Sequence, residues 1–470
     1  MVSSQKPISR RQVLSLMGLA AVAVPLAACA ATPGGTAFGT PSATPVPTLD
    51  AKNPFGVTAG TTVDSVIFDN AKNTEFFAYL AKELEKSSSA LTLAVTPSAQ
   101  IAQQVQPRFV AGNPPDLLHS AGAGSIPVAT LLPSVLDLND LVDAPNLEGD
   151  VIRDAVYPGV LELADFDGKL AAINYSLSVH ALWYSRSLFS KMGWKAPRTW
   201  DEAMDLGAAA KKEGKYLFTW GKEAASYYLS MAIDSAIKEG GNEVRVALAN
   251  LEPKSWSQPA VKAAFTAMKK AVDAGYFLPG GAGTQFKAAQ AQWSLRQEAI
   301  MYPSGSWIEA EMGAEIADGF EMVGAPNPTV TTKSALPYEA IRFAGGNRFV
   351  VPTAGANTVG AKETLRTMLS RDAAIEFARI NKSPTILRNT VPKDGFGSTA
   401  LVSATDLLEQ AGTNAYAWDF TDAYPFGDDK GRVMNDFLSG GMSVADALSE
   451  LQKASDRIRE DDTIVKIKAS

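Results

Sequence analysis

The 470-residue sequence contains one cysteine and two histidines. A single cysteine closes no intrachain disulfide, and with only His119 and His180 beside it no structural zinc site can be assembled. Basic residues are not in surplus: 43 lysines and arginines stand against 50 acids, a formal charge of -7. That balance argues against a nucleic-acid partner, which wants a basic face to displace counterions from phosphates. Beyond its first thirty residues the chain has no apolar run near the ~20 residues a spanning helix needs. P-loop, G-x-S-x-G and H-E-x-x-H patterns are missing. Gly395-Phe396-Gly397-Ser398-Thr399-Ala400 fits the loose G-x-G-x-x-A pattern. Thr390–Asp394 before it is not a strand pattern, so it reads as a glycine loop entering a helix. Asp137, Asp140 and Asp143 lie at helical spacing amid leucines and read as a solvated face. No cofactor and no metal are implied.

What is present is globular in composition, 46% hydrophobic and 20% charged. Single cores stop growing near 250–300 residues, so two compact lobes are expected. The N-terminus carries an address. Arg10 and Arg11 precede an apolar run, Val13 to Ala28, that ends in Leu26-Ala27-Ala28-Cys29. A basic n-region, a short apolar h-region and small residues before a cleavage point read as an export signal. Ser9-Arg10-Arg11-Gln12-Val13-Leu14 resembles a twin-arginine signal, and the closing tetrad resembles a bacterial lipobox. Residues 1–28 are therefore expected to be removed and Cys29 to carry lipid; a buried structural cysteine is the alternative. Residues 29–52, rich in Thr, Pro, Gly and Ala, read as a flexible tether with no core to enter. Removal of the leader takes away Lys6, Arg10 and Arg11 and no acid, so the exported body is more acidic than the full chain.

In the body, helix and strand patterns alternate. Thr62–Phe68 reads as a strand, and Phe76, Phe77, Leu80 and Leu84 share one face of a following helix. Ala90–Val95 is a second strand, Ile101–Val110 a helix stopped by Gly112-Asn113-Pro114-Pro115, and Asp116-Leu117-Leu118 a third strand. This β-α-β-α-β opening predicts an open, mainly parallel sheet, with ligands beyond the carboxyl ends of its strands. Asp69-Asn70 and His119-Ser120 lie at two such ends. Further strands are expected at Ala181–Tyr184, Leu217–Trp220, Ala299–Tyr302 (stopped by Pro303), Phe320–Gly324 and Phe349–Pro352. Thr199-Trp200-Asp201-Glu202 is a capping box, Pro259 opens a long helix, and the C-terminal third is mainly helical.

Leu182-Trp183-Tyr184-Ser185-Arg186-Ser187-Leu188-Phe189 and Pro197-Arg198-Thr199-Trp200-Asp201-Glu202 together resemble the signature of family 1 extracellular solute-binding proteins, receptors of sugar ABC importers. Gly305-Ser306-Trp307, Gly324-Ala325-Pro326 and Gly345-Gly346-Asn347 follow in family order. A closing helix begins near Ser443-Val444-Ala445-Asp446. Asn53-Pro54-Phe55-Gly56-Val57, Gln106–Gly112, Asn250-Leu251-Glu252-Pro253 and Gly305–Glu309 are similar to the N-acetylglucosamine/N,N'-diacetylchitobiose-binding lipoproteins. Where that subfamily tends to carry a second aromatic, this chain has Ile173-Asn174-Tyr175-Ser176. The resemblance implies an α/β, two-lobed periplasmic-binding-protein-like fold with hinge crossovers and a ligand cleft between the lobes. Residues 53–182 with 344–383 would form one lobe, and 183–343 with 384–470 the other. It further implies a monomer, held at the extracytoplasmic face of the cell membrane by its lipid alone. That monomer captures a mono- or oligosaccharide without chemistry and delivers it to ABC permease subunits. The alternative is a secreted glycoside hydrolase on the same tether, which requires two carboxylates about 5–10 Å apart across the sugar.

A neutral sugar wants aromatic platforms for its C–H faces and a few convergent polar groups. Trp183 reads as core, and Trp194, Trp200, Trp256 and Trp293 as packing residues; Trp418 is left open. Trp307 follows a strand and a small turn at a helix start, and the family places a sugar-stacking aromatic there. Trp220 and Tyr175 stand between site and core, and one of Tyr227 and Tyr228 should face the cleft while the other packs. Polar candidates are Asp69, Asn70, Ser120, Glu309 and Arg342. Against them stand a turn role for Asp69 and Asn70, a helix N-terminus role for Glu309 and a surface role for Arg342.

Overall fold

A computed structural model describes residues 49–470 apart from 88, 123, 124, 314, 427, 465, 467 and 470. The expected leader 1–28, Cys29 and the tether up to residue 48 lie outside the described residues. Eleven strands occur among the described residues: β1 (Thr62–Phe68), β2 (Thr92–Ser98), β3 (Leu117–Ser120), β4 (Asp165–Phe166), β5 (Lys169–Leu170), β6 (Ile173–Ser185), β7 (Tyr216–Phe218), β8 (Ala299–Gly305), β9 (Met322–Ala325), β10 (Ile341–Val350) and β11 (Ala415–Ala417). Nine of them make one sheet in the order β2-β1-β3-β10-β6-β8-β7, with β11 on β10 and β9 on β6.

The opening βαβαβ unit forms as the sequence predicts. Asn70 caps the helix Ala71–Lys86 by accepting from the Asn73 amide at 2.8 Å, and Phe76, Phe77, Leu80 and Leu84 are buried. β1 runs parallel to β2 and β3. Beyond them the sheet is mixed, not mainly parallel: β10 is antiparallel to both β3 and β6, and β6 is antiparallel to β8 and β9.

β6 and β10 are longer than their sequence patterns suggest. The first half of β6 interleaves Asn174, Ser176 and Ser178 with apolar residues, and the middle of β10 reads Gly345-Gly346-Asn347. Neither has strong strand propensity. They hold each other, Gly345 opposite Leu177 and Gly346 opposite Ser176, and pairing outweighs propensity. Pro303 does not stop β8, which runs on to Gly305. Pro303 has the parity of Ala299 and Met301, the residues registered to β7, and β7 ends at Phe218 before reaching it.

Two buried apolar clusters line the sheet. One centres on Val66, Leu118, Phe349 and Leu365 and also takes in Trp293, Tyr302 and Leu407. The other centres on Leu182, Phe218, Ile233, Phe265 and Met434. Residues Pro47–Ser470 together pack as one compact unit. The end of the expected tether is fastened to it: Arg366, paired with buried Glu363 at 2.7 Å, also donates to the Lys52 carbonyl at 3.0 Å. No helix among the described residues is long and apolar enough to cross a membrane.

His119 lies inside the first lining layer, stacked on Phe349 at 4.4 Å, with neither ring nitrogen hydrogen-bonded among the described residues. Burial holds its pKa down at about 3, with Asn347 opposing the shift. The folded value lies below the unfolded one, so the unfolded chain binds the proton first. Stability from this residue is complete above about pH 6.5 and is lost as pH falls from there toward 3. Urea unfolding of His119→Phe should show a flatter loss between pH 7 and about 4.5 than the native chain. Equal slopes would show that other groups set the acid limit.

Candidate functional site

A cavity of about 120 Å³ opens between β6, β8, β10 and the helix Ser226–Gly240. That helix presents Ser226, Ser230 and Asp234, spaced four apart, to the cavity, with Tyr227 beside them. β6 supplies His180 and Ala181, β8 supplies Pro303 and Ser304, and β10 supplies Arg342. Asn327, Thr421, Asp422 and Lys430 complete the wall.

Trp307 stands at the mouth, 37% exposed, one of few large apolar side chains so placed. It follows the end of β8 as the chain turns into the helix Ile308–Met312. Its ring lies over Gly305, where a Cβ would meet a ring carbon at 1.9 Å; only glycine allows that approach. His180 meets the indole edge-on at 5.3 Å, and Tyr227 at 6.5 Å. Burial and then Glu311 push the Tyr227 phenol pKa up. Burial and then Arg342 hold His180 well below its ordinary value, so its ring is neutral at neutral pH, with one donor and one acceptor nitrogen.

The floor is a buried polar network. Asp234 accepts from Trp418 Nε1 and from Asn327 Nδ2, each at 2.8 Å. The Arg342 guanidinium carbon lies over the Trp418 ring, 3.6 Å from its centroid, and Arg342 donates through Nε to the Trp418 carbonyl at 3.2 Å. Lys238, one turn beyond Asp234, donates to the carbonyls of Asn327 at 2.6 Å and Tyr338 at 2.8 Å. Burial raises the Asp234 pKa against the pull of Arg342, the Trp418 donor and Lys238. Arg342 Nη1, Ser304 Oγ and Asn327 Oδ1 have no hydrogen-bond partner among the described residues, although all three residues are at least nine-tenths buried. Such atoms cost about 1–3 kcal/mol each unless a ligand or water meets them.

Of the ten candidates read from sequence, the structure brings Tyr227, Trp307 and Arg342 to this cavity. Arg342 is not a surface charge; β10 carries it inward. The other seven go elsewhere. Asn70 is a helix cap, and exposed Asp69 follows β1 with its amide on the Ser98 carbonyl. Ser120 Oγ closes its own loop, accepting from the Ile126 amide at 2.8 Å and donating to its carbonyl at 3.0 Å. Tyr175 is core: it packs with Phe76, Phe349 and Phe377 and donates to the Met368 carbonyl at 2.6 Å. Tyr228 is the packing member of its pair, buried with its hydroxyl on the Thr219 carbonyl. Trp220 is buried against the backbone of Gly281, where a Cβ would sit 2.2 Å from the indole. Glu309 reaches the N-terminus of the helix Thr399–Ala411, where it accepts from Ser398 Oγ and the Ala400 amide.

The sequence reading passed over His180, Asp234, Asn327 and Ser304. One signal was available: Asp234 and Lys238 stand four apart in Leu229–Lys238, a stretch whose other residues are apolar or serine, and buried charges demand partners. A second cavity of about 350 Å³ is lined by Phe166, Arg348, Trp418, Asp419 and Phe420. Burial raises the Asp419 pKa there, with Arg348 and Arg342 opposing.

A family profile and a relative show the family, and solved structures match the fold. The profile of the family described as bacterial extracellular solute-binding protein matches residues 70–375. The chain is 49% identical over 420 residues to the diacetylchitobiose-binding protein NgcE of Streptomyces coelicolor, covering 89% of this chain and 90% of that one. Its fold matches apo RafE of Streptococcus pneumoniae with a TM-score of 0.69 at 16% identity, covering 86% of this chain and 99% of that one. The sugar-binding protein MalE of Xanthomonas citri matches with a TM-score of 0.67 at 18% identity, covering 85% and 97%. By the profile match and the relative at 49% identity, the chain belongs to the bacterial extracellular solute-binding proteins.

Proposed function

We propose that the chain captures N-acetylglucosamine or N,N'-diacetylchitobiose outside the cytoplasm, on the wall formed by Trp307, Tyr227 and Arg342, and hands it to an ABC permease. The observation that carries this reading is a partly exposed indole beside a cavity lined by Tyr227, Asp234, Asn327 and Arg342. It is the combination a sugar needs, an apolar platform and converging hydrogen bonds. The relative NgcE is named for diacetylchitobiose.

Capture works by closure of two lobes, residues 53–182 with 344–383 against 183–343 with 384–470. Support for a shared hinge comes from β6, which is bonded to β10 through Ile173–His180 and to β8 through His180–Tyr184. Calorimetric titration with N-acetylglucosamine, diacetylchitobiose, maltose and xylobiose, with scattering at saturation, tests both parts. The N-acetylated sugars should bind selectively and compact the protein. Preference for maltose would overturn the ligand, and unchanged scattering would overturn closure.

The protein works on a lipid at Cys29, with residues 29–52 as its tether. A two-chain lipid anchors stably, each buried methylene adding about 0.8 kcal/mol. Cys29→Ala should move the protein from the membrane fraction to the soluble exported fraction; retention on the membrane would refute the anchor.

A further inference from the structure

We infer that Lys238 is a positioning residue for the cavity behind Trp307: its ammonium draws together the two ends of the loop Asn327–Tyr338 and so holds Asn327 in the cavity wall. This rests on the reading above that the ligand binds in that cavity. The loop lies between β9 and β10. Lys238 is 1% exposed, on the helix Ser226–Gly240. Its Nζ donates to the carbonyls of Asn327 and Tyr338, 2.6 and 2.8 Å away, so one atom closes the base of the loop. It also lies 5.4 Å from the centroid of the Tyr338 ring, which carries the Arg198 guanidinium at 4.6 Å. Asn327 lines the cavity. Lys238 stands behind it and acts through it.

The rest of the loop is secured independently. Ser235 Oγ donates to the Pro328 carbonyl at 2.8 Å, and Glu239 accepts from the Thr331 amide at 3.0 Å. The backbone carbonyls of Lys238 and Glu239 accept from the amides of Leu336 and Ala335. These bonds keep the loop on the helix whatever the charge of Lys238. Asn327 is tied twice more, and both ties depend on that charge. Its carbonyl takes the ammonium directly, and its Nδ2 bonds Asp234, whose carboxylate Lys238 helps to keep ionised. A charged donor bonds about twice as strongly as a neutral one. The groups facing the ammonium are Asp234 on its own helix and Tyr338 and Glu339 at the end of the loop. Behind them stand Arg198, paired with Glu339 at 2.9 Å, and Arg342 of β10, which acts on Asp234. Burial lowers the Lys238 pKa to about 7, with Asp234 and then Glu339 opposing the shift. Loss of the proton leaves an amine that holds both carbonyls less strongly.

The test is calorimetry with diacetylchitobiose on the mature protein and on Lys238→Met, between about pH 6 and about pH 8.5, either side of the Lys238 value. The sugar has no group that titrates in this range. Affinity of the native chain should fall about fivefold from the acid to the alkaline end, the difference between a charged and a neutral hydrogen bond. Lys238→Met should bind about tenfold more weakly at the acid end and show no step with pH. A role in folding alone would not produce the native profile. The folded pKa lies below the unfolded value of 10.5, so above pH 7 the unfolded chain binds more protons. Lys238 therefore makes the fold more stable, not less, as pH rises while affinity falls. Where Lys238→Met does not fold, Lys238→Gln, which keeps a neutral donor, takes its place and should also show no step. A flat affinity profile in the native chain, or a step of native size in the folded variant, overturns the positioning role while sugar capture stands. If the native chain binds diacetylchitobiose at no pH in the range, the capture reading itself fails and takes this role with it.

Discussion

Trp307→Ala should weaken binding of diacetylchitobiose by about 2–4 kcal/mol, the range of a central aromatic anchor. The loss should appear in calorimetric affinity and not in folding. Trp307 is 37% exposed and its neighbours are other aromatic edges, so removing it opens little core. Thermal unfolding should therefore move only slightly, while Trp293→Ala, which deletes a buried ring stacked on Tyr302 at 5.8 Å, should destabilise by about 3–5 kcal/mol. The contrast between the two tryptophans separates platform from core. Native affinity in Trp307→Ala would remove the indole from the site.

Asp234→Ala should cost both folding and binding. Its carboxylate is the acceptor for Trp418 Nε1 and Asn327 Nδ2 and the acid that acts most strongly on buried Arg342 and Lys238. Deleting it removes the acceptor of two buried donors and the main counter-charge to two buried cations, and removing one member of a buried charged network costs about 3–5 kcal/mol. Urea unfolding should show that loss at neutral pH. Binding should fall as well, because Asn327 and Trp418 lose the partner that orients them and Arg342 rests on Trp418. A loss of stability under about 1 kcal/mol would mean that the network relaxes around the gap and that Asp234 does not organise the floor.

Much of the scaffold was legible because it is written locally. The Asn70 cap, the Phe76–Leu84 stripe and the Thr199 cap each depend on residues within two turns. So does the Gly305-Ser306-Trp307 turn, where glycine beneath the indole leaves a sequence trace of a packing requirement. The mixed sheet was not legible. β6 and β10 are stabilised by each other across more than a hundred residues of sequence, and Gly345-Gly346-Asn347 alone predicts a turn.

The site divides in the same way. Trp307 announces itself at a strand end. The partners of Arg342 are assembled from the helix Ser226–Gly240, the Asn327 segment and the Trp418 loop, and no local pattern links them. Strand-end logic also misplaces Asn70 and Ser120. A short polar side chain after a strand serves the next cap or loop as readily as a ligand, and here both satisfy backbone. Tyr175 was ambiguous because an aromatic amid polar residues has two readings, and the neighbouring Phe76, Phe349 and Phe377 decide it only in three dimensions.

The most direct test of the account is a crystal structure with diacetylchitobiose. It should show one sugar ring on the Trp307 indole, in the cavity lined by Tyr227 and Arg342. A sugar seated instead among Phe166, Arg348 and Phe420, with the Trp307 cavity unchanged, would contradict it.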